Sequence, residues 1–304
     1  MKNIFWKLQA TLFFVLTLIA SRIPESIAYR CGSLAGLLIP YLVPKRRSII
    51  TDNISQSLPF MKSHHLWNSS SDTPHVLVRE TFKNLGRSLM EISRLYQGRG
   101  ESIISNIEIR GWEHYEAAKA KGKGILFFSG HCGNWELMSL ALSNLFGESV
   151  SGVARKQKNP FFNKMVEKMR SRYNSKLIYK QGALKGILTA LKNKEMVGIL
   201  ADQAVSPEEG CLIEVIGRMA WSSRMPTVIA NKTGAPLIPV FIHRDGEHHV
   251  LTFYPEHTFI STSNGNDINE NTQALSRYVE NFVVAHPTQW YWIHRRWKKA
   301  GELI

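Results

Sequence analysis

The sequence has few cysteines, and the three that it has form no pattern. Cys31, Cys132 and Cys211 are scattered along 304 residues, without Cys-x-x-Cys spacing and without companion histidines at ligand distance. A disulfide framework requires paired cysteines at close spacings, and a structural zinc site requires clustered Cys and His ligands. We therefore predict no metal site and three reduced cysteines in a reducing compartment.

Acidic residues are also scarce. The chain has 24 Asp and Glu against 38 Lys and Arg, which gives a formal net charge of +14 at pH 7. Such an excess favours a polyanionic partner: nucleic acid, an anionic membrane surface or a phosphorylated substrate. Hydrophobic residues make up 44% of the chain and charged residues 20%, which argues against global disorder and allows a large core.

No uninterrupted apolar run reaches the length of about 20 residues that spans a bilayer comfortably. One run extends from Leu8 to Ala20, and a second, from Leu34 to Val43, contains Pro40. A signal peptide, a single span, a shallow hairpin in one leaflet and a buried core hairpin are the alternatives. We favour a membrane anchor over residues 1–44, because no clear cleavage site follows and the basic cluster 45–47 would face anionic headgroups.

Residues 45–304 alternate between short apolar runs and segments with helical periodicity, such as 76–96. The strand-like runs are 107–111, 124–128, 150–154, 176–179, 196–201, 236–243 and 249–254. Most of the intervening segments read as helices, as expected for repeated βα units. This alternation predicts one α/β domain over 45–304, with a central, mostly parallel sheet flanked by helices.

A glycine-flanked loop, Gly130-His131-Cys132-Gly133, follows the apolar strand 124–128, and Glu136 falls in the first turn of the next helix. Loops after such strands are where α/β proteins place reactive groups. We expect the Glu136 carboxylate to fold back onto the imidazole of His131, fix its tautomer and leave it free to act as a general base. No Gly-x-Ser-x-Gly elbow is present, which favours direct transfer over an acyl-enzyme.

Three further polar residues follow or precede predicted elements. Arg155 follows strand 150–154, where it is either an ordinary surface arginine or a group that contacts substrate or an oxyanion. Asn159 precedes a proline and is either a helix cap or a substrate contact. Asp202 follows strand 196–201 at the same predicted sheet edge as His131, and it is either a turn residue or a substrate contact.

The segment SGHCGNWE resembles the signature of the bacterial late acyltransferases of lipid A biosynthesis, the lauroyl and myristoyl transferases. Those enzymes share a His-x4-acid dyad with the wider glycerolipid acyltransferases, and here the dyad corresponds to His131 and Glu136. The likeness continues in order from near residue 40 to residue 298, although Lys156 stands where the family usually has Pro. The other similar blocks are 44–47, 154–160, Arg170 with Arg172, 184–186, 201–203, 233–236 and 289–297.

The resemblance implies an O-acyltransferase of lipopolysaccharide biosynthesis with a glycerolipid acyltransferase-like fold. Its donor would be an acyl-carrier protein or coenzyme A thioester, and its acceptor a hydroxyl of a phosphoglycolipid, the lipid A precursor. Because a thioester is already activated, a base and an oxyanion stabiliser suffice without a cofactor or metal. Arg155 and Arg170 suit phosphates or an acidic carrier protein. The resemblance also implies the bacterial inner membrane, with the catalytic domain facing the cytoplasm.

Two alternatives remain at this point. A relative could acylate another glycolipid, such as a phosphatidylinositol mannoside, since the motifs do not fix the acceptor. A basic membrane- or nucleic-acid-binding protein would need neither His131 nor Glu136. The tail 290–299 mixes aromatic and basic residues, which suits stacking on nucleic acid or a membrane interface. We expect it to contact membrane or substrate headgroups and predict no nucleic-acid partner.

Overall fold

The computed structural model describes residues 2–69, 73–261, 265 and 267–301. The strands are β1 Ile107–Arg110, β2 Ile125–Ser129, β3 Val150–Ala154, β4 Ser175–Tyr179, β5 Met196–Leu200, β6 Gly210–Val215, β7 Arg218–Ser223, β8 Leu237–Asp245 and β9 His248–Phe253. The helices are α1 Lys2–Ser21, α2 Glu25–Leu42, α3 Pro44–Ser63, α4 Pro74–Tyr96, α5 Glu101–Ser105, α6 Trp112–Lys119, α7 Trp135–Phe146, α8 Pro160–Arg172, α9 Ala183–Lys192, α10 Met225–Thr233, α11 Asp267–Ala285 and α12 Lys298–Gly301.

Seven strands form one mixed sheet in the order β1-β9-β8-β2-β5-β3-β4. Strands β8, β2, β5, β3 and β4 are parallel, whereas β9 runs antiparallel to β8 and carries β1 beside it. The predicted α/β fold with a mostly parallel sheet is confirmed. The antiparallel step follows from the tight turn between β8 and β9, since a connection this short can only join antiparallel strands.

The central strand β2 is buried on both faces, and its side chains alternate between two cores. Leu126 and Phe128 pack into a core that includes residues of α3, α4, α9 and α11, whereas Ile125 and Phe127 join a second core with α6 and α7. This double burial explains why β2 appears in the sequence as a continuous apolar run rather than as an alternating one.

The segment predicted as an anchor forms α1 and α2, and both helices pack against α4. Helix α2 approaches α4 closely through Gly32 and Gly36, where an added Cβ would overlap backbone atoms of α4. Helix α1 is long and apolar enough to cross a membrane, and α2 and α3 meet at a bend of 102°. The role of residues 1–44 as a separate anchor stays a prediction.

The position of the C-terminal tail, residues 290–299, differs from the one that its composition suggested. Trp290, Trp292 and Trp297 are buried in the core, so the prediction that these aromatic side chains lie among headgroups is wrong. Their ring nitrogens donate inward, as when Trp297 Nε1 donates to the carbonyl of Val215 in the β6–β7 hairpin at 3.1 Å. That hairpin, which forms a separate two-stranded sheet, was not predicted, because its strands carry no continuous apolar run.

Candidate active site

The centre of the site is built from the ends of two adjacent parallel strands. Ser129 at the end of β2 pairs with Leu200 at the end of β5, so the chain segments after them leave the sheet side by side. His131 and Asp202 each lie two residues beyond this pair. Their side chains meet: His131 Nδ1 lies 2.7 Å from Asp202 Oδ1, and the backbone N–H of His131 donates to Asp202 Oδ2 at 2.8 Å.

The C-terminal tail supplies a third donor to the same carboxylate. Trp290 Nε1 donates to Asp202 Oδ2 at 2.8 Å. The tail also pairs with the His131 loop, since Gly133 donates to the carbonyl of Gln289 at 2.6 Å and Tyr291 donates to the carbonyl of His131 at 3.0 Å. These bonds fix both the carboxylate and the backbone that carries the imidazole.

Glu136 does not occupy the position that the sequence suggested. Its Oε2 accepts a hydrogen bond from Arg170 Nη2 at 2.6 Å, and the described residues include no hydrogen bond between Glu136 and His131. The expectation that Glu136 folds onto the imidazole is therefore wrong. The strand register places Asp202 against Nδ1 instead, while the first turn of α7 presents Glu136 to the buried arginine of α8. A catalytic role for Glu136 stays a prediction.

The two partners shift each other's protonation in opposite directions. Burial raises the pKa of the Asp202 carboxyl, but attraction to the His131 imidazole and three donated hydrogen bonds outweigh it and lower this pKa to about 2. Burial lowers the pKa of His131, but the Asp202 charge, its hydrogen bond and the more distant Glu136 raise it overall. Asp202 is therefore ionised, and it holds the proton of the imidazole on Nδ1.

The second ring nitrogen of His131, Nε2, is not bonded to Asp202. The His131 side chain is 19% exposed and that of Asp202 only 3%, so the imidazole reaches solvent while its partner does not. Nε2 lies 3.3 Å from the side-chain nitrogen of Gln203. The rings of Trp135 and Tyr291 lie 5.2 and 5.9 Å from the imidazole. With the proton on Nδ1, Nε2 carries the lone pair that a general base requires, beside the amide of Gln203 and two aromatic rings.

The backbone of the loop depends on one glycine. Gly133 has φ +54°, and a Cβ at this position would overlap the carbonyl oxygen of Ile242. The loop therefore passes directly over β8, which only glycine permits. The neighbouring Cys132 is buried, and burial with the Asp202 charge raises the pKa of its thiol well above the usual value. A buried neutral thiol of this kind is not a nucleophile.

A buried charged network supports the loop from below and was not foreseen from the sequence. Asn134 caps α7 by accepting from the backbone of Leu137, and its Nδ2 donates to Glu91 Oε2 at 2.7 Å. Glu91 also accepts from Arg244 Nη2 at 2.8 Å and contacts His249 Nε2 at 2.9 Å. Burial raises the pKa of Glu91, but Arg244 and His249 outweigh it and lower this pKa.

Glu91 of α4, Asn134 at the start of α7 and Arg244 of β8 are far apart in the chain. The sequence nonetheless contains a feature that could have indicated this network. Arg244 lies near the end of a mostly apolar strand, and Glu91 lies in a strongly amphipathic helix, so each is a charge beside a core. Charges in such positions are nearly always paired.

The remaining predicted site residues lie around the same sheet edge without touching His131. Arg155 is exposed just beyond β3 and makes no ion pair within the described part of the chain. Arg170 is buried between Glu136 and Ser139 Oγ, to which its Nη1 donates at 2.9 Å. Asn159 caps α8, accepting from Phe161 at 3.0 Å, and its Nδ2 donates to the carbonyl of Trp6 in α1 at 2.8 Å.

The capping interpretation of Asn159 is thus the one that the hydrogen bonds bear out, and a substrate contact by it stays a prediction. Among the described residues, no group of three or more His, Cys, Asp or Glu side chains could hold a metal ion.

Residues 4–299 match the family model of the bacterial lipid A biosynthesis acyltransferases. The chain belongs to this family. The acyltransferase is 27% identical over 287 residues to the lipid A biosynthesis lauroyltransferase of Escherichia coli K12, an alignment that covers 92% of this chain and 88% of that protein. It is 22% identical over 309 residues to a lipid A biosynthesis acyltransferase of Haemophilus influenzae, covering 99% and 91%.

A third relative is named for a different lipid. The acyltransferase is 23% identical over 235 residues to a phosphatidylinositol mannoside acyltransferase of Mycobacterium tuberculosis, covering 74% of this chain and 71% of that protein. The resemblance found in the sequence is therefore confirmed at the level of the family, and the non-enzyme alternative falls.

Proposed function

We propose that this acyltransferase moves a fatty acyl group from an acyl thioester, carried by acyl-carrier protein or coenzyme A, to a hydroxyl of a lipid A precursor. The observation that carries the proposal is the His131–Asp202 pair, in which a buried carboxylate holds Nδ1–H and leaves the lone pair on Nε2 of a partly exposed imidazole. Direct acyl transfer requires a general base that takes the proton of the acceptor hydroxyl, and it requires no enzyme nucleophile. The His131–Asp202 pair supplies such a base.

In the proposed reaction, Nε2 of His131 removes the proton from the acceptor hydroxyl as its oxygen attacks the thioester carbonyl. The tetrahedral intermediate collapses with cleavage of the carbon–sulfur bond, and the leaving thiolate takes the proton back from the imidazolium. Asp202 stabilises that imidazolium and keeps the ring in one tautomer. General base catalysis of this kind contributes roughly 10²–10⁴-fold.

Glu136, Arg170 and Arg155 have supporting roles in this proposal. Glu136 adds a second negative charge near His131, which raises the pKa of the imidazole further, and it orients the guanidinium of Arg170. Arg155 lies exposed at the carboxyl edge of β3, next to β5, where a phosphate of the donor or of the acceptor would meet it.

The acceptor and the location are proposed from the family. The lauroyltransferase of Escherichia coli aligns over a larger share of its length than the phosphatidylinositol mannoside acyltransferase, which favours lipid A over that glycolipid. We place the enzyme at the inner membrane with its catalytic face in the cytoplasm. Acyl thioesters are made there, and the described free cysteines fit a reducing compartment.

The test is mass spectrometry of envelope lipids from cells with and without the gene, followed by transfer in vitro with purified enzyme. We expect lipid A species that differ by the mass of one acyl chain, and we expect labelled acyl groups to pass from the thioester to the lipid A precursor. Acylation of a phosphatidylinositol mannoside with lipid A unchanged would move the proposal to the other acceptor. No transfer to either lipid would overturn it.

A further inference from the structure

Helix α1 is fastened to the catalytic domain along its whole length. One stripe of the helix faces inward, and Ala10, Thr17 and Ser21 on this stripe are buried. The contacts, in order along α1, are the carbonyl of Trp6 with Asn159 at 2.8 Å, Phe13 with Phe162 at 4.7 Å between ring centroids, Thr17 Oγ1 with Gln97 at 2.8 Å, and the carbonyl of Ser21 with Arg99 at 3.5 Å.

The turn that follows α1 is fastened as well. The buried Arg94 of α4 donates to the carbonyl of Ile23 at 2.7 Å and forms an ion pair with Glu25 at 3.2 Å. Both ends of α1 are thus bound to polar side chains of the same folded body, Asn159 at one end and Arg94 at the other.

The opposite face of α1 is apolar and uncovered among the described residues. The same is true of the outer face of α2, whose inner face is pressed onto α4 through Gly32 and Gly36. The large exposed apolar side chains of the two helices are Ile4, Phe5, Leu8, Leu12, Phe14, Val15, Leu16, Ile19, Ile27, Leu34, Leu38, Tyr41 and Leu42. An uncovered apolar surface of this extent marks an interaction site.

The charges in the same segment indicate the partner. Residues 2–47 contain seven basic side chains and one acidic side chain, Glu25, and all seven basic ones are exposed: Lys2, Lys7, Arg22, Arg30, Lys45, Arg46 and Arg47. Apolar side chains together with an excess of Lys and Arg are the pattern of a helix that lies in the interface of an anionic bilayer.

We infer that α1 and α2 lie along one leaflet of an anionic membrane and that α1 does not cross it. A helix of 20 residues is about 30 Å long, which equals the hydrocarbon thickness, so a crossing α1 would place its two ends on opposite sides. Its ends are bound to one domain, and crossing would draw Gln97, Arg99 and Asn159 into hydrocarbon or break their bonds to α1.

This inference extends the proposed membrane location and needs no assumption about the lipid acceptor. Its first test is sidedness, measured by labelling rather than by activity. In a Cys31→Ser background, where the two remaining cysteines are buried, Asn3→Cys and Lys232→Cys place one thiol at the start of α1 and one on α10. An impermeant maleimide is applied to spheroplasts and to inverted inner-membrane vesicles from the same cells.

We expect both thiols to react in the same preparation and to be protected in the other. Reaction of Asn3→Cys in one preparation and Lys232→Cys in the other would establish a crossing α1 and overturn the inference. Because neither readout requires turnover, a wrong acceptor in the proposed function would leave this result unchanged.

The second test compares two matched Leu→Ser variants in binding to phosphatidylethanolamine vesicles with and without phosphatidylglycerol. Leu12 lies on the proposed membrane face and Leu184 on α9, and both are exposed. We expect Leu12→Ser to weaken partitioning about tenfold, as loss of a buried leucine does, and Leu184→Ser to leave it unchanged. Equal effects of the two variants, or binding that does not depend on the anionic lipid, would contradict the inference.

Discussion

The Asp202→Asn variant tests the proposed mechanism most directly. The carboxylate of Asp202 accepts from three N–H groups, those of His131 Nδ1, the His131 backbone and Trp290 Nε1. An asparagine of the same shape has only one acceptor atom. Its NH2 group must therefore face either Nδ1, which forces the proton onto Nε2, or the two N–H donors that meet at Oδ2.

The magnitude follows from the charge that is lost. The pKa of Asp202 is lowered from 3.8 to about 2, a shift that corresponds to about 2 kcal/mol of preference for the ionised carboxylate in this site. Removing that charge withdraws stabilisation from the imidazolium and releases the tautomer of the ring. Comparable losses in acid–histidine pairs lower turnover by about 10⁴-fold, so we expect kcat to fall by roughly 10³–10⁴-fold.

The pH profile separates this mechanism from simple unfolding. Asp202 raises the pKa of His131, so Asp202→Asn should move the acid limb of kcat/KM to lower pH while the maximal rate falls. The assay is transfer from a labelled acyl thioester across pH 5–9, with circular dichroism as the folding control. A variant with near-normal kcat and an unmoved acid limb would refute the assignment of Asp202 as the partner of the base.

Four further outcomes are expected. His131→Ala should abolish acyl transfer while membrane binding persists, which a transfer assay and flotation on vesicles would check. Glu136→Gln should lower kcat by about tenfold and move the acid limb slightly downward, because Glu136 only adds to the pKa of His131 through space; a wild-type profile would reduce it to a structural partner of Arg170. Glu91→Gln should lower the free energy of unfolding by about 3 kcal/mol, since it leaves the buried Arg244 unpaired, as chemical denaturation would show. Chelation should leave the rate unchanged, and loss restored by one specific metal would contradict the metal-free mechanism.

The sequence was informative where one element determines its own conformation. The apolar run of β2 and the glycines around His131 are local features, so the order strand, loop and helix was predicted, with the strand within one residue of its observed bounds and Glu136 in the first turn of α7. The position of Asp202 at the same sheet edge was predicted for the same reason. Its contact with His131 was not, because it depends on β2 and β5 being neighbours, which the chain order does not state.

Other features depend on burial that composition does not report. The tail 290–299 combines aromatic and basic residues, as a membrane interface does, yet its tryptophans fill the core beside the β6–β7 hairpin. Helix α3 was overlooked because polar and basic residues interrupt its apolar positions and Pro59 lies within its last turns. Only its packing against the core, through residues such as Ile50 and Ile54, reveals its role.

The hydrogen bonds that join Gln289, Trp290 and Tyr291 to the His131 loop and to Asp202 have a consequence for incomplete chains. His131 is synthesised well before Gln289, Trp290 and Tyr291, whose hydrogen bonds fix the loop of the general base and the Asp202 carboxylate in place. A chain released before residue 289 contains both His131 and Asp202 but lacks the residues whose hydrogen bonds hold them in place. Unfinished or C-terminally clipped molecules are therefore expected to be inert toward thioesters, so the cell's pool of acyl donors is not consumed by partly made enzyme.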